Sequence, residues 1–216
     1  MTTSARTIEG YKHGRVPREV RERQMLDVAE EVFTEFGYAG ASIEEVCRRA
    51  GLKRPIVYTY FGGKDGLYLG CYRRARAELD ERLATAALGV QTDERTPEAL
   101  HSVVRAVIRG YFEFLASSPG RWDLLYGPGA ATERSIAAET SALRMQTVEL
   151  LAALLRGYAP SGAVDDVVLG FAHAASGSCE QLARWARQNE EITLDQLVDL
   201  GTRYNWTALT QLLLPD

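Results

Sequence analysis

From Arg18 onward, Met25, Val28, Ala29, Val32, Phe33 and Phe36 recur at three- and four-residue steps, with Arg21, Asp27, Glu30, Glu31 and Glu35 between them. That is the period of a helix buried along one side, and Gly37 predicts its end. Ser42 with Glu45 three residues on has the form of a capping box, and Ile43, Val46 and Ala50 give a short second helix its buried stripe, stopped at Gly51. A third short helix is predicted from Arg54 to Phe61, where Pro55 is tolerated only because it falls in the first turn. Gly62 and Gly63 break the chain, and a long fourth helix follows from about Lys64 through Leu67, Leu69, Tyr72, Ala75 and Leu79 toward Ala87, with a polar loop at Gln91 to Thr96.

Beyond Pro97 the pattern stays helical. Leu100, Val103, Val104, Val107, Ile108, Tyr111 and Leu115 make one apolar face, closed by Ser117, Ser118, Pro119 and Gly120. A short segment around Arg121 to Tyr126 is broken by Gly127, Pro128 and Gly129, and a further helix runs from about Thr132 to Tyr158 before Pro160. Two more, about Val164 to Gln188 and Leu194 to Leu214, complete an all-α chain with no strand pattern.

Composition changes this picture little. With 216 residues, 46% of them hydrophobic and 25% charged, the chain can bury a core and falls outside disordered and disulfide-rich classes. No apolar run approaches the roughly 20 residues of a membrane span, and residues 1–17 lack a signal-like apolar stretch, so a cytoplasmic protein with no membrane partner is expected. Cys47, Cys71 and Cys179 lie far apart, and the odd count argues for buried reduced thiols. Charge distribution tells more. Residues 1–64 hold 11 Lys and Arg against 9 Asp and Glu, and residues 65–216 hold 14 against 20, so the net −4 divides into +2 and −6. All three lysines, Lys12, Lys53 and Lys64, are in the first part, which points to a polyanionic partner there.

Two short helices joined by a Gly-containing turn and braced by an amphipathic helix are the sequence form of a helix-turn-helix, whose second helix can enter the DNA major groove. The third helix, with its N-terminal flank, mixes Lys53, Arg54, Pro55, Tyr58, Thr59 and Tyr60, while Val57 and Phe61 are spaced to anchor it. Phe33, Phe36-Gly37-Tyr38, Ser42, Ala50-Gly51-Leu52, Val57-Tyr58-Thr59-Tyr60-Phe61, Lys64 and Leu67 together resemble the signature of the TetR family of bacterial transcriptional regulators. The resemblance implies that Ser42, Tyr58, Tyr60 and Lys64 meet phosphates and that Lys53, Arg54, Pro55 and Thr59 face base edges. Lys53 and Pro55 stand where the family has smaller residues. It also implies a division into a basic tail (1–17), a helix-turn-helix domain (18–63), and a connecting helix with a C-terminal helical bundle for ligand binding and dimerisation (64–216). On physical grounds alone, a cation reaching guanine supplies about 1–3 kcal/mol of discrimination, which singles out Lys53 and Arg54.

Enzyme signatures fail. Gly63-Lys64 lacks the upstream glycine of a phosphate loop, and Asp65 stands where Ser or Thr should be. The Gly127-Pro128-Gly129 run follows no strand. His13, His101 and His173 have no metal-ligand spacing. Neither a catalytic residue, a metal nor a cofactor is expected.

One short recognition helix reads too few base pairs, so a homodimer on double-stranded operator DNA is expected. Its interface is assigned to the last two helices, at Val168, Ala172, Ala175, Cys179 and Leu182, and at Leu197, Gly201, Tyr204, Ala208 and Leu212. The competing reading is that these stripes face their own core. For a small hydrophobic effector, Tyr111, Trp122, Tyr126, Met145, Val148 and Phe171 could converge on an apolar cavity, with Gln146 and His173 as polar contacts. The alternative is a C-terminal domain serving only dimerisation or protein interaction.

Overall fold

The computed structural model describes residues 16–90, 96–117, 119–127, 134–158 and 165–213. The basic tail before Val16, most of the polar loop at 91–96, the Pro128-Gly129 break and Pro160 lie outside the described residues. Nine α-helices occur among those described: α1 Arg18–Gly40, α2 Ile43–Ala50, α3 Arg54–Phe61, α4 Lys64–Leu88, α5 Pro97–Ser117, α6 Pro119–Tyr126, α7 Arg134–Arg156, α8 Asp165–Ala186 and α9 Leu194–Leu213. No strand occurs among them, so the all-α fold stands. No helix among them is long and apolar enough to cross a membrane.

The predicted breaks fall where the glycines stand. At Gly37 the backbone leaves helical geometry (φ 67°, ψ 173°), although helical turns resume to Gly40. Gly51 (φ 67°) and Gly62 (φ 73°) close α2 and α3 in the left-handed region that favours glycine.

The chain forms two compact units that interleave along the sequence. The first holds the described residues of Met1–Arg76 and Ser118–Ala142, the second those of Ala77–Ser117 and Leu143–Asp216. In the first, Met25, Val28, Ala29 and Val32 of α1 meet Val46, Val57 and Leu67 in a core where each is at most 1% exposed. Phe33, Tyr38 and Tyr68 add edge-to-face rings 5.0–5.1 Å apart. Helix α6 belongs to this unit because it packs on α1: Gly120 lies so close to Thr34 that an added Cβ would stand 2.5 Å from its Oγ1. The Tyr68 hydroxyl then donates to the Leu124 carbonyl at 2.8 Å.

In the second unit, Leu100, Val148, Ala152, Leu155, Val168, Phe171, Ala172 and Leu209 form one buried cluster. Helix α9 packs on both α5 and α8, and Gly201 permits the approach, its Cβ direction closed by Phe112 and Ile108 at 3.2–3.3 Å.

Candidate nucleic-acid interface

Three devices hold α2 and α3 in place. The Ser42 hydroxyl accepts from the Glu45 amide at 3.2 Å, a cap contributing about 1 kcal/mol. The expected reciprocal bond is replaced, because the Glu45 carboxylate is taken by Arg48 (2.6 and 2.8 Å) and Arg49 (2.6 Å) instead. Those two guanidiniums hold the Glu45 carboxyl down at about 2, and Arg49 reaches on to Glu35 of α1 at 2.6 Å. Second, Gln24 of α1 donates to the Ala50 carbonyl at 3.2 Å, satisfying the end of α2. Third, Val57 is fully buried and Phe61 half-buried, so α3 is pinned along one side. Phe61 lies over Gly70 of α4, where an added Cβ would come within 3.0 Å of the ring.

The opposite side of α3 and its flank carries Lys53, Arg54, Pro55, Tyr58 and Thr59, all exposed, with Tyr58 at 49%. The first turn holds no acid. Arg54 is paired across to Glu44 of α2, both side chains being more than half exposed. The Thr59 hydroxyl donates to the Pro55 carbonyl at 2.8 Å, leaving its lone pairs outward. Tyr60 is half-buried and carries Arg18 over its ring, 5.4 Å from the centroid. Between them an open groove of about 460 Å³ is lined by Val16, Pro17, Arg18, Thr59 and Tyr60. Lys64 donates to the Ala39 carbonyl at 3.2 Å and stands over the Tyr38 ring at 4.6 Å. The Tyr38 hydroxyl donates to Asp65, which lowers that carboxyl's pKa.

All eight residues selected for DNA contact thus lie in one unit, seven of them on α3 and its two flanks and Ser42 at the N-terminus of α2. Sequence reasoning missed Arg18, which enters through its ring contact, and the two α4 glycines. A Cβ at Gly66 would collide with the Phe61 carbonyl, so only glycine lets α3 end this close to α4. A glycine one turn into a strong helical pattern was the available signal.

The residues selected for a ligand are divided between the two units. Val148 and Phe171 are core residues, with Met145 packed against them, and Tyr111 is buried beside Phe112. Trp122 and Tyr126 belong to the other unit, their rings 4.9 Å apart, because α6 docks on α1. Gln146 and His173 are exposed and so are not polar contacts within an apolar interior. The two stripes assigned to a dimer interface differ in exposure along their length. Val168, Ala172, Cys179, Leu197 and Gly201 are buried in the protomer, and Ala175, Leu182 and Ala208 are half-buried, whereas Tyr204 and Leu212 are 60% and 53% exposed. The apolar arc on each helix is wide: its centre serves the core and only its edge faces out. That edge carries Trp185, Leu200 and Tyr204. Among the described residues no group of three His, Cys, Asp or Glu could hold a metal ion.

A helix-turn-helix whose second helix shows cations, hydroxyls and an aromatic to solvent, followed by a separate helical unit, defines a DNA-binding regulator. Residues 25–71 match the family "Bacterial regulatory proteins, tetR family", and residues 104–179 match "Tetracyclin repressor-like, C-terminal domain". The chain belongs to the TetR family of transcriptional regulators and is not an enzyme. It is 31% identical over 135 residues to the transcriptional activator FasR of Mycolicibacterium smegmatis, covering 62% of this chain and 58% of that protein. It is 33% identical over 95 residues to the regulator BetI 1 of Chromohalobacter salexigens, covering 44% of each. The matches thus span about half the length of these curated relatives. Among solved structures, a TetR-like regulator from Rhodococcus is 28% identical with a TM-score of 0.68, covering 91% of this chain and 99% of that one. The fold is also that of the Bacillus subtilis regulator FadR in complex with stearoyl-CoA, 16% identical with a TM-score of 0.69, covering 86% of this chain and 97% of that one.

Proposed function

We propose that the protein is a homodimeric repressor that reads an operator with two copies of α3 and leaves it when the C-terminal unit takes up a small hydrophobic ligand. The observation that carries this reading is the exposed, acid-free start of α3, with Lys53 and Arg54 beside Pro55 and Thr59. In this arrangement Lys53 and Arg54 reach base edges, while Ser42, Tyr58, Tyr60 and Lys64 hold phosphates.

Two copies are supported by the apolar edge of α8 and α9, where Leu182, Leu200 and Tyr204 line an open groove of about 280 Å³ with Ser178 and Gln181. A Cβ at Gly170 or Gly177 of α8 would meet nothing within 4 Å, which leaves room for a partner helix. A hydrophobic effector is supported by the apolar interior around Val148 and Phe171, and by a relative of this fold that holds stearoyl-CoA. Release requires tighter binding of ligand to the DNA-incompetent state, a coupling of about 1–3 kcal/mol in typical cases.

The test is selection of DNA by the purified protein from a random pool, followed by challenge of the complex with fatty acids and long-chain acyl-CoAs. A palindromic motif released by an apolar compound is the expected result. A selected sequence without twofold symmetry would overturn the dimeric reading, and a complex indifferent to every apolar compound would overturn the ligand response.

A further inference from the structure

Helices α5 and α9 run antiparallel, and two ion pairs fix their register: Arg105 to Asp199 and Arg109 to Asp195, each at 2.6 Å. Beyond the first pair the helices leave an open groove of about 260 Å³ within the second unit, lined by His101, Arg105, Asp199, Thr202, Arg203 and Trp206 among others. It lies on the flank of α9 away from Leu200 and Tyr204.

Thr202 is 3% exposed, and its hydroxyl oxygen is buried without a hydrogen-bond partner. Helical hydroxyls elsewhere in the chain avoid that state by bonding to a carbonyl one turn back, as Thr59, Thr140, Thr207 and Thr210 do. A buried polar group left unpaired is costly, and such groups recur where a ligand supplies the missing partner. Next to it, Arg203 is exposed and makes no ion pair among the described residues, while Arg105 is neutralised by Asp199. One cation is therefore uncompensated. One turn further on, Trp206 is half-buried with the His101 ring set against it edge-to-face, 4.9 Å between centroids.

We propose that this groove binds a small planar aromatic carboxylate, with the carboxylate shared by the Arg203 fork and the Thr202 hydroxyl and the ring lying against Trp206. Each part of the site selects one property. A single free guanidinium suits a monoanion and pairs with a carboxylate in the bidentate geometry that ammonium groups lack. The indole favours a flat apolar body over an inorganic ion. The volume falls just below the ~300–1,000 Å³ of ordinary ligand pockets, which limits the occupant to a single or fused ring. This site is separate from the hydrophobic effector and does not depend on DNA binding.

The test is calorimetric titration of the full chain with benzoate, benzamide and inorganic phosphate, with tryptophan emission followed in parallel. Benzoate should bind saturably and change the emission, with benzamide and phosphate at least about tenfold weaker. Arg203→Ala, a change at an exposed position, should weaken benzoate about tenfold, and the shape-preserving Thr202→Val about fivefold. Circular dichroism verifies that both variants fold. The emission change should vanish in Trp206→Phe and persist in Trp185→Phe. The proposal is overturned if benzoate does not saturate in the millimolar range, if Arg203→Ala leaves its affinity unchanged, or if benzamide or phosphate binds as tightly.

Discussion

The guanidinium of Arg54, at the start of α3, is engaged by the carboxylate of Glu44 from α2. Both groups are more than half exposed, and such pairs contribute about 0–1 kcal/mol, so DNA can take Arg54 at small cost. Arg54→Ala should relax the selected motif at one position of each half-site, with a loss of about 1–3 kcal/mol on the preferred base. Glu44→Gln should strengthen binding to all sequences severalfold at low salt, by removing a negative charge from the DNA-facing side. An unchanged motif in Arg54→Ala would remove it from the base-reading set.

Lys64 is held by the Ala39 carbonyl and the Tyr38 ring, so its charge is fixed in place. Lys64→Ala should weaken binding about equally on all sequences and make the log–log salt slope shallower by about 0.9. Base-dependent loss would contradict a phosphate role.

At the contact of α1 and α6, a methyl group at Gly120 would meet Thr34 Oγ1 at 2.5 Å and Cγ2 at 3.0 Å. Gly120→Ala should cost about 1–3 kcal/mol of stability through overpacking. Removing the obstructing atoms with Thr34→Ala should restore most of it. Thermal denaturation of the two single variants and the double variant checks the coupling, and strict additivity would show that the two positions do not touch.

Glu45 has its carboxyl lowered from 4.5 to about 2 by hydrogen bonds from Arg48 and Arg49. A lowered folded-state pKa means its contribution is complete above about 4.5 and is lost as pH falls through about 2. The Glu45 side-chain carbon signal should titrate near 2 in the folded protein. In Arg48→Ala combined with Arg49→Ala, the midpoint should return toward the ordinary carboxylate range.

Tyr204→Glu and Leu200→Glu place charge on the exposed edge of α9, where both side chains are over 40% exposed. Sedimentation should give monomers that remain folded and bind operator poorly. Variants that stay dimeric would move the interface elsewhere.

The DNA-binding half was legible because its determinants are local. Ser42, Gly51, Pro55 and Gly62 act within a few residues of themselves, so spacing alone located α2 and α3. The Ser42 half of the capping box forms, but its reciprocal half does not, because Arg48 and Arg49, one turn on, compete for the Glu45 carboxylate more strongly than a backbone amide does. Farther along, periodicity identified the apolar arcs of α8 and α9 but not which part of each arc faces inward. Leu197 and Tyr204 sit on one stripe, yet one is buried and the other is 60% exposed. The placement of Trp122 and Tyr126 depended on α6 docking through Gly120 against Thr34 and through the Tyr68–Leu124 hydrogen bond, a long-range fit that no local pattern encodes.

The three free cysteines have a further use. Cys47 and Cys71 are buried in the first unit and Cys179 in the second. Burial raises all three thiols, Cys179 to about 12, so almost no thiolate exists at neutral pH while the chain is closed. Alkylation must then wait for local opening, and its rate at each sulfur measures how often that neighbourhood unfolds. Without any engineering, the chain carries intrinsic chemical clocks for α2, for the N-terminal turns of α4 and for the helix pair α8–α9, so that stabilisation by DNA and by an effector can be timed separately in one sample.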